Sequence, residues 1–269
     1  MSVKGFLIDL DGVLYIEEKS IPGAPDAVNW LRNRGYPFRF LTNTTIKSRA
    51  ELAQKLNLLG LEAKPEEIFS TCVVAASWLA KQGITRVQLL VPENAQDDFR
   101  ELEITDDRPA AVVIGDLGRG FSYDVLNSAF LAIRQGARLV ALQKNRFWRT
   151  EKGPALDVGP WVAALEYAAE TEATVVGKPN PSYFETALED LGLPPDQVAM
   201  IGDDIHTDIV GAQAVGTKTI LVKTGKYEFD RGKPQDIRPD WILDSIADLP
   251  AFLGKLGTVP TGKRLFSRK

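Results

Sequence analysis

Asp9 and Asp11 close the first apolar run of the chain, Lys4–Leu10, and are the first residues whose types and spacing could do chemistry. Residues two apart on an ideal strand share a face, so the carboxylates can converge, although strand-end carboxylates also cap helices and turns. Three more polar groups follow: Thr42, Asn43 and Thr44 after the apolar Phe38–Leu41, Lys178 at the head of KPNPS, and Asp203, Asp204 and Asp208 within GDDIHTD. Several carboxylates meeting at one edge repel each other unless a cation neutralises them. Oxygen donors alone suit Mg²⁺, which binds one or two carboxylates together with a substrate phosphate. The hydroxyl and amide side chains of the Thr42–Thr45 loop precede a helix entrance, where an anion is favoured. Pro179 and Pro181 would hold the backbone after Lys178 and keep its ammonium near the same crevice, although lysines after strands are mostly solvated. The chemistry these groups share is that of a phosphorylated compound beside a divalent cation.

What the chain lacks narrows the field. Its single histidine, His206, removes multi-histidine metal sites, and no GxSxG elbow offers a nucleophile for a triad. His206 itself reads as a polar residue at a helix start. The single cysteine, Cys72, allows no internal disulfide and suits a reducing compartment, so the cytoplasm is the expected location. With 32 Lys and Arg against 36 Asp and Glu, the net charge of −4 provides no positive field for a nucleic acid. The basic tail around Lys263, Arg264, Arg268 and Lys269 reads as a solvated terminus. No run reaches the ~18 apolar residues of a membrane span, so no membrane partner is expected.

The elements that must position these groups alternate along the chain. Helix Pro25–Arg34, with Val28 and Leu31 on one face, stops at Gly35. Ser48 with Glu51 fits a capping box ahead of Leu52, Leu56 and Leu59. Strands follow at Val87–Val91 and Ala111–Ile114, then a helix Ser122–Gln135 and a strand Arg138–Leu142. A basic loop Gln143–Thr150 leads to a helix Trp161–Ala169 and a strand Thr174–Val176. After Lys178 come a helix stopped by Gly192, a strand Val198–Ile201, a helix ending near Gly216 and a strand Thr219–Lys223. This order predicts an α/β fold built on a largely parallel sheet, with the ligand crevice beyond the carboxyl ends of its strands. All the polar groups fall at those ends.

The segments FLIDLDGVLY, FLTNT, GKPNPS and GDDIHTD, in that order, resemble the four signature segments of the haloacid dehalogenase-like hydrolase superfamily, and the likeness covers nearly the whole chain. The long insertion between the second and third segments resembles the α/β cap of its type IIA members. The resemblance implies a Rossmann-like core with an inserted smaller cap: core 1–81, cap 82–177, core 178–269. It implies Asp9 as a nucleophile that forms an aspartyl-phosphate and Asp11 as the acid and base. It places Mg²⁺ on Asp9, the Asp11 main-chain carbonyl and Asp203, with Asp204 and Asp208 supporting. It puts Thr42, Asn43 and Thr44 on the phosphoryl oxygens, with Lys178 balancing their charge, and implies a homodimer formed through the cap.

The expectation is therefore a Mg²⁺-dependent phosphatase acting on a small phosphorylated substrate. A phosphotransferase or mutase of the same fold, a dehalogenase, and a phosphometabolite-binding protein without turnover are the alternatives. In the insertion, Lys144, Asn145 and Arg146, or the Asp157–Pro160 turn, could meet a leaving group, but basic loops are usually wet surface. Phe147 and Trp148 read as packing residues.

Overall fold

The computed structural model describes residues 3–150, 153–227 and 237–256. The chain forms two compact units. The first comprises Met1–Leu41, Ala53–Glu67 and Ala187–Lys269, and the second Thr42–Leu52 and Ile68–Thr186. The α/β class is as expected, and both units are organised on parallel strands.

In the first unit the strands lie in the order Trp241–Leu243, Lys218–Val222, Val198–Gly202, Gly5–Asp9 and Phe38–Thr42, each paired parallel to the next. Gly5–Asp9 and Val198–Gly202 are buried along their whole length, as continuous apolar runs in a parallel sheet should be. Their register places Ile8 beside Ile201, so the chains leave the sheet side by side, one at Asp9 and the other at Asp203. Helix Ala24–Asn33 buries Val28 and Leu31 and is followed by Gly35 at φ 74°, the left-handed stop read from the sequence.

The second unit holds a parallel sheet in the order Thr174–Val175, Arg138–Ala141, Ala111–Ile114, Arg86–Leu90 and Glu103–Ile104. Alternation divides its side chains between two cores. Val112, Ile114, Leu139 and Ala141 pack with Ala129, Ile133, Val162 and Leu165 from helices Tyr123–Arg134 and Gly159–Ala169. Ala111, Val113, Val140 and Leu142 pack with Cys72, Ala75, Leu79 and Phe99 on the other face. Each fully buried Leu or Ile contributes about 2 kcal/mol, so both faces are anchored.

Two stretches depart from the sequence reading. Thr71–Lys81 is a helix, capped by Ser70 Oγ accepting from Val73 N at 3.3 Å. Its near-continuous apolar sequence, TCVVAASWLAK, has no polar face to reveal a helical period. The expected basic loop Gln143–Thr150 contains a strand, Phe147–Thr150, paired antiparallel with Gly153–Leu156. Aromatic and β-branched residues favour extended backbone, and the charges between them obscured it. Phe147 is half exposed, so it is not the packing residue its type suggested. The side chain of Trp148 and the tail residues Lys263 to Lys269 lie outside the described residues. Among those described, no helix is long and apolar enough to cross a membrane.

Candidate active site

Three carboxylates meet where the central strands of the first unit end. Asp9 is the last residue of its strand and Asp203 follows Gly202 directly. Asp208 sits in the wide helical turn Ile205–Ile209, where Asp204 O accepts from both Asp208 N and Ile209 N. One oxygen of each lies within 4.8 Å of the others, and all three residues are buried. Burial, and then the charges of Asp9 and Asp208, push the Asp203 carboxyl up to about 8.

The surrounding backbone is shaped to this cluster. Gly12 at φ 86° and Gly225 at φ 56° both lie against Asp203, and a Cβ on either would collide with its carboxylate. Lys226 N donates to Asp203 Oδ2 at 2.6 Å, and Thr224 Oγ1 donates to Gly12 O at 2.5 Å, joining the two loops. Sequence reasoning missed Thr224, Gly225 and Lys226. The signal was available in TGK directly after an apolar strand, the same position that marks the other polar groups. An oxygen-only set of mutually repelling, buried carboxylates is the donor chemistry a hard divalent cation requires. These residues fit such an ion.

The two carboxylates whose parts the sequence left open separate cleanly. Asp208 joins the cluster. Asp204 instead caps the turn, accepting from His206 N at 2.9 Å and Thr207 N at 3.2 Å, and pairs with Lys226 Nζ at 2.9 Å. Burial raises the Asp204 carboxyl, but the Lys226 ammonium outweighs it and holds the group below its ordinary value. His206 is exposed at the start of the turn, as read.

Asp11 is exposed, and its Oδ2 accepts a 3.2 Å hydrogen bond from the buried Tyr15 hydroxyl. Burial, and then Asp11 and Asp9, hold the Tyr15 phenol far above its usual range, so it is a proton donor at any ordinary pH. Tyr15 was not singled out by sequence; an aromatic four residues past a carboxylate looks like core.

In the second unit the loop after Phe38–Thr42 is tied to Lys178 by the Asn43 amide. Its Nδ2 donates to Lys178 O and its Oδ1 accepts from Lys178 N, both at 2.9 Å. Thr44 N donates to Thr42 Oγ1 at 3.1 Å, and Thr44 O accepts from Thr71 Oγ1 at 3.0 Å. The Tyr183 hydroxyl accepts from Thr42 N at 3.0 Å and donates toward Thr42 O at 2.9 Å. Thr42, Asn43, Thr44 and Lys178 are thus brought together, with the Lys178 side chain buried. A Cβ on the neighbouring Gly177 would collide with Leu142 O, so the segment that begins at Gln143 leaves from the same place.

That segment is itself fastened. Lys144 Nζ pairs with Glu166 at 2.8 Å, and Gln143 spans Asp157 Oδ1 at 2.6 Å and Asn145 N at 2.7 Å. Burial raises the Asp157 carboxyl, with Asp116 adding to it. Gly159 N donates to Asn145 O at 2.9 Å. These contacts give Lys144, Asn145 and Asp157 structural work in holding the turn. Arg146 is exposed, and its carbonyl accepts from Asp157 N at 3.3 Å.

Parallel strands that end in buried carboxylates are the frame of a Rossmann-like hydrolase. The chain belongs to the haloacid dehalogenase-like hydrolases: residues 6–105 match the family described as Haloacid dehalogenase-like hydrolase, and residues 175–249 a second, HAD-hydrolase-like family. It is 45% identical over 226 residues to the haloacid dehalogenase-like hydrolase domain-containing protein 2 of Pongo abelii, covering 84% of this chain and 86% of that protein. It is 38% identical over 252 residues to the phospholysine phosphohistidine inorganic pyrophosphate phosphatase of Xenopus laevis, covering 91% and 92%. The solved p-nitrophenyl phosphatase from Archaeoglobus fulgidus matches with a TM-score of 0.87 at 29% identity, over 94% of this chain and 100% of that one.

Proposed function

We propose that this chain is a Mg²⁺-dependent phosphatase that hydrolyses a small phosphorylated compound through an aspartyl-phosphate. The observation that carries the reading is the meeting of Asp9, Asp203 and Asp208, buried and within 4.8 Å; the phosphatase names of the relatives support it. Asp9, the Asp11 main-chain carbonyl and Asp203 would hold the ion, with Asp208 beside them. When bound, the ion neutralises these carboxylates and the negative charge of the phosphoryl group.

The chain's own residues supply the rest. An Asp9 oxygen forms a bond to phosphorus as the bond to the leaving oxygen breaks, and that oxygen takes a proton from Asp11. Water then attacks phosphorus and gives its proton to Asp11, restoring the carboxyl and releasing Asp9 and inorganic phosphate. The Thr42, Asn43 and Thr44 loop and the Lys178 ammonium bind the phosphoryl oxygens, with the Asn43 amide orienting Lys178 through its backbone. Residues 82–177 serve as the cap that selects the leaving group.

The test is hydrolysis of p-nitrophenyl phosphate with Mg²⁺. Turnover is expected in the wild-type chain, together with its loss in Asp9→Asn and on chelation. Turnover that persists unchanged in Asp9→Asn would refute the reading.

A further inference from the structure

Resting on the phosphatase reading, we propose that Tyr15 is a positioning residue that fixes the Asp11 carboxyl for protonation of the leaving oxygen. A general acid must present its proton within hydrogen-bond reach of the atom that takes it, and an exposed aspartate turns about two side-chain bonds. Here one of its oxygens is engaged: the Tyr15 hydroxyl donates to Asp11 Oδ2 at 3.2 Å.

The donor is itself held from several sides. Tyr15–Ile16 pairs antiparallel with Lys19–Ser20. The turn between Asp11 and Tyr15 is closed by Gly12 N donating to Tyr15 O at 2.7 Å and by Leu14 N donating to Leu10 O at 2.9 Å. The Tyr15 ring is buried, and Lys55 Nζ stands 4.1 Å from its centroid while pairing with Glu18 at 3.2 Å. A cation facing an aromatic ring is attracted to it, so Lys55 helps to hold the ring in place. Tyr15 makes no bond to the transferred group in the proposed step; it acts through Asp11.

The test is a series of phenyl phosphates whose leaving phenols span poor to good leaving groups, read as kcat/KM with Mg²⁺ for wild type, Tyr15→Phe and Asp11→Asn. Proton donation matters most when the leaving oxygen is most basic. The loss in Tyr15→Phe is expected to grow from about twofold with the best leaving group to about tenfold or more with the poorest, a part of the effect of a general acid. Asp11→Asn is expected to show the steepest trend. Tyr15→Phe keeps the ring, and its melting curve reports the fold separately. An equal loss across the series, the mark of a merely structural role, overturns the proposal, as does no loss at all. A wild-type chain inert toward the whole series overturns the phosphatase reading along with it, whereas an active wild type with an unchanged trend in Tyr15→Phe overturns Tyr15 alone.

Discussion

Without a cation, the cluster of Asp9, Asp203 and Asp208 should make the fold less stable as pH rises. Two unit charges 4.8 Å apart repel by about 3–4 kcal/mol at an effective dielectric of ~20, and Asp203 faces two such neighbours. Burial first, and then this repulsion, shift its carboxyl from 3.8 to about 8, a combined cost of several kcal/mol. The sign comes from proton counting. Between the two values the folded chain keeps a proton that the unfolded chain has lost, so stability falls by about 1.4 kcal/mol per pH unit. Below 3.8 both states are protonated and the cost is absent; above about 8 it is fully present.

Carboxylates held low by cations, such as Glu67 beside Arg32 and Asp240 beside Lys218, lose their contribution only in acid, through and below the ordinary carboxylate range. From pH 5 to pH 8 those groups stay ionised in both states, and the slope belongs to the carboxyls that folding raises, Asp203 with the buried Asp98 and Asp157, which Asp203→Asn tells apart. Urea unfolding of chelator-treated protein should show about 4 kcal/mol less stability at pH 8 than at pH 5. Saturating Mg²⁺ should remove most of that slope by binding the folded state, and metal-free Asp203→Asn should lose most of it, keeping only what the buried Asp98 and Asp157 carboxyls add. A metal-free wild type as stable at pH 8 as at pH 5, or the same slope with and without Mg²⁺, would refute the reasoning.

Two further outcomes are expected. Gly12→Ala should cost about 3 kcal/mol, combining the left-handed backbone with a collision against the Asp203 carboxylate, whereas Gly35→Ala, at φ 74° with nothing within 4 Å of the added carbon, should cost only about 1 kcal/mol; equal losses in urea melts would refute the collision. Tyr183→Phe should cost about 2 kcal/mol by stripping Thr42 N of its buried partner and should raise KM for a phosphate ester by loosening the Thr42–Thr44 loop; a variant unchanged in both stability and KM would refute that link.

The sequence made the strand ends legible because a buried parallel strand reads as an unbroken apolar run, and Gly5–Asp9 and Val198–Gly202 are such runs. A polar residue directly after such a run stands at the carboxyl end of its strand, and the meeting of Asp9 with Asp203 was legible on that ground. Choosing between Asp204 and Asp208 needed the phase of the next turn. That turn is wider than an α-helix, with Val210 N bonding back to Ile205 O, and such turns have no sequence period to read. Tyr15 and Tyr183 were illegible for another reason: each buries its ring like a core residue, and only the position of the hydroxyl reveals its second purpose. The strand at Phe147–Thr150 was hidden by the charges around it.

The same geometry limits how stable this region can be made. One backbone donor, Lys226 N, faces Asp203 against two repelling carboxylates, and the Lys226 ammonium is committed to Asp204. Neutralising Asp9 or Asp208 would relieve the metal-free fold, yet it would also remove a donor from the set that suits a divalent cation. Gly12 and Gly225 press the backbone against the same carboxylate, so a side chain at either position would collide with it. A cluster that is costly alone is the donor set a divalent cation would relieve, and the difference in the slope of stability with pH, with and without Mg²⁺, measures how much of that cost the cation would remove.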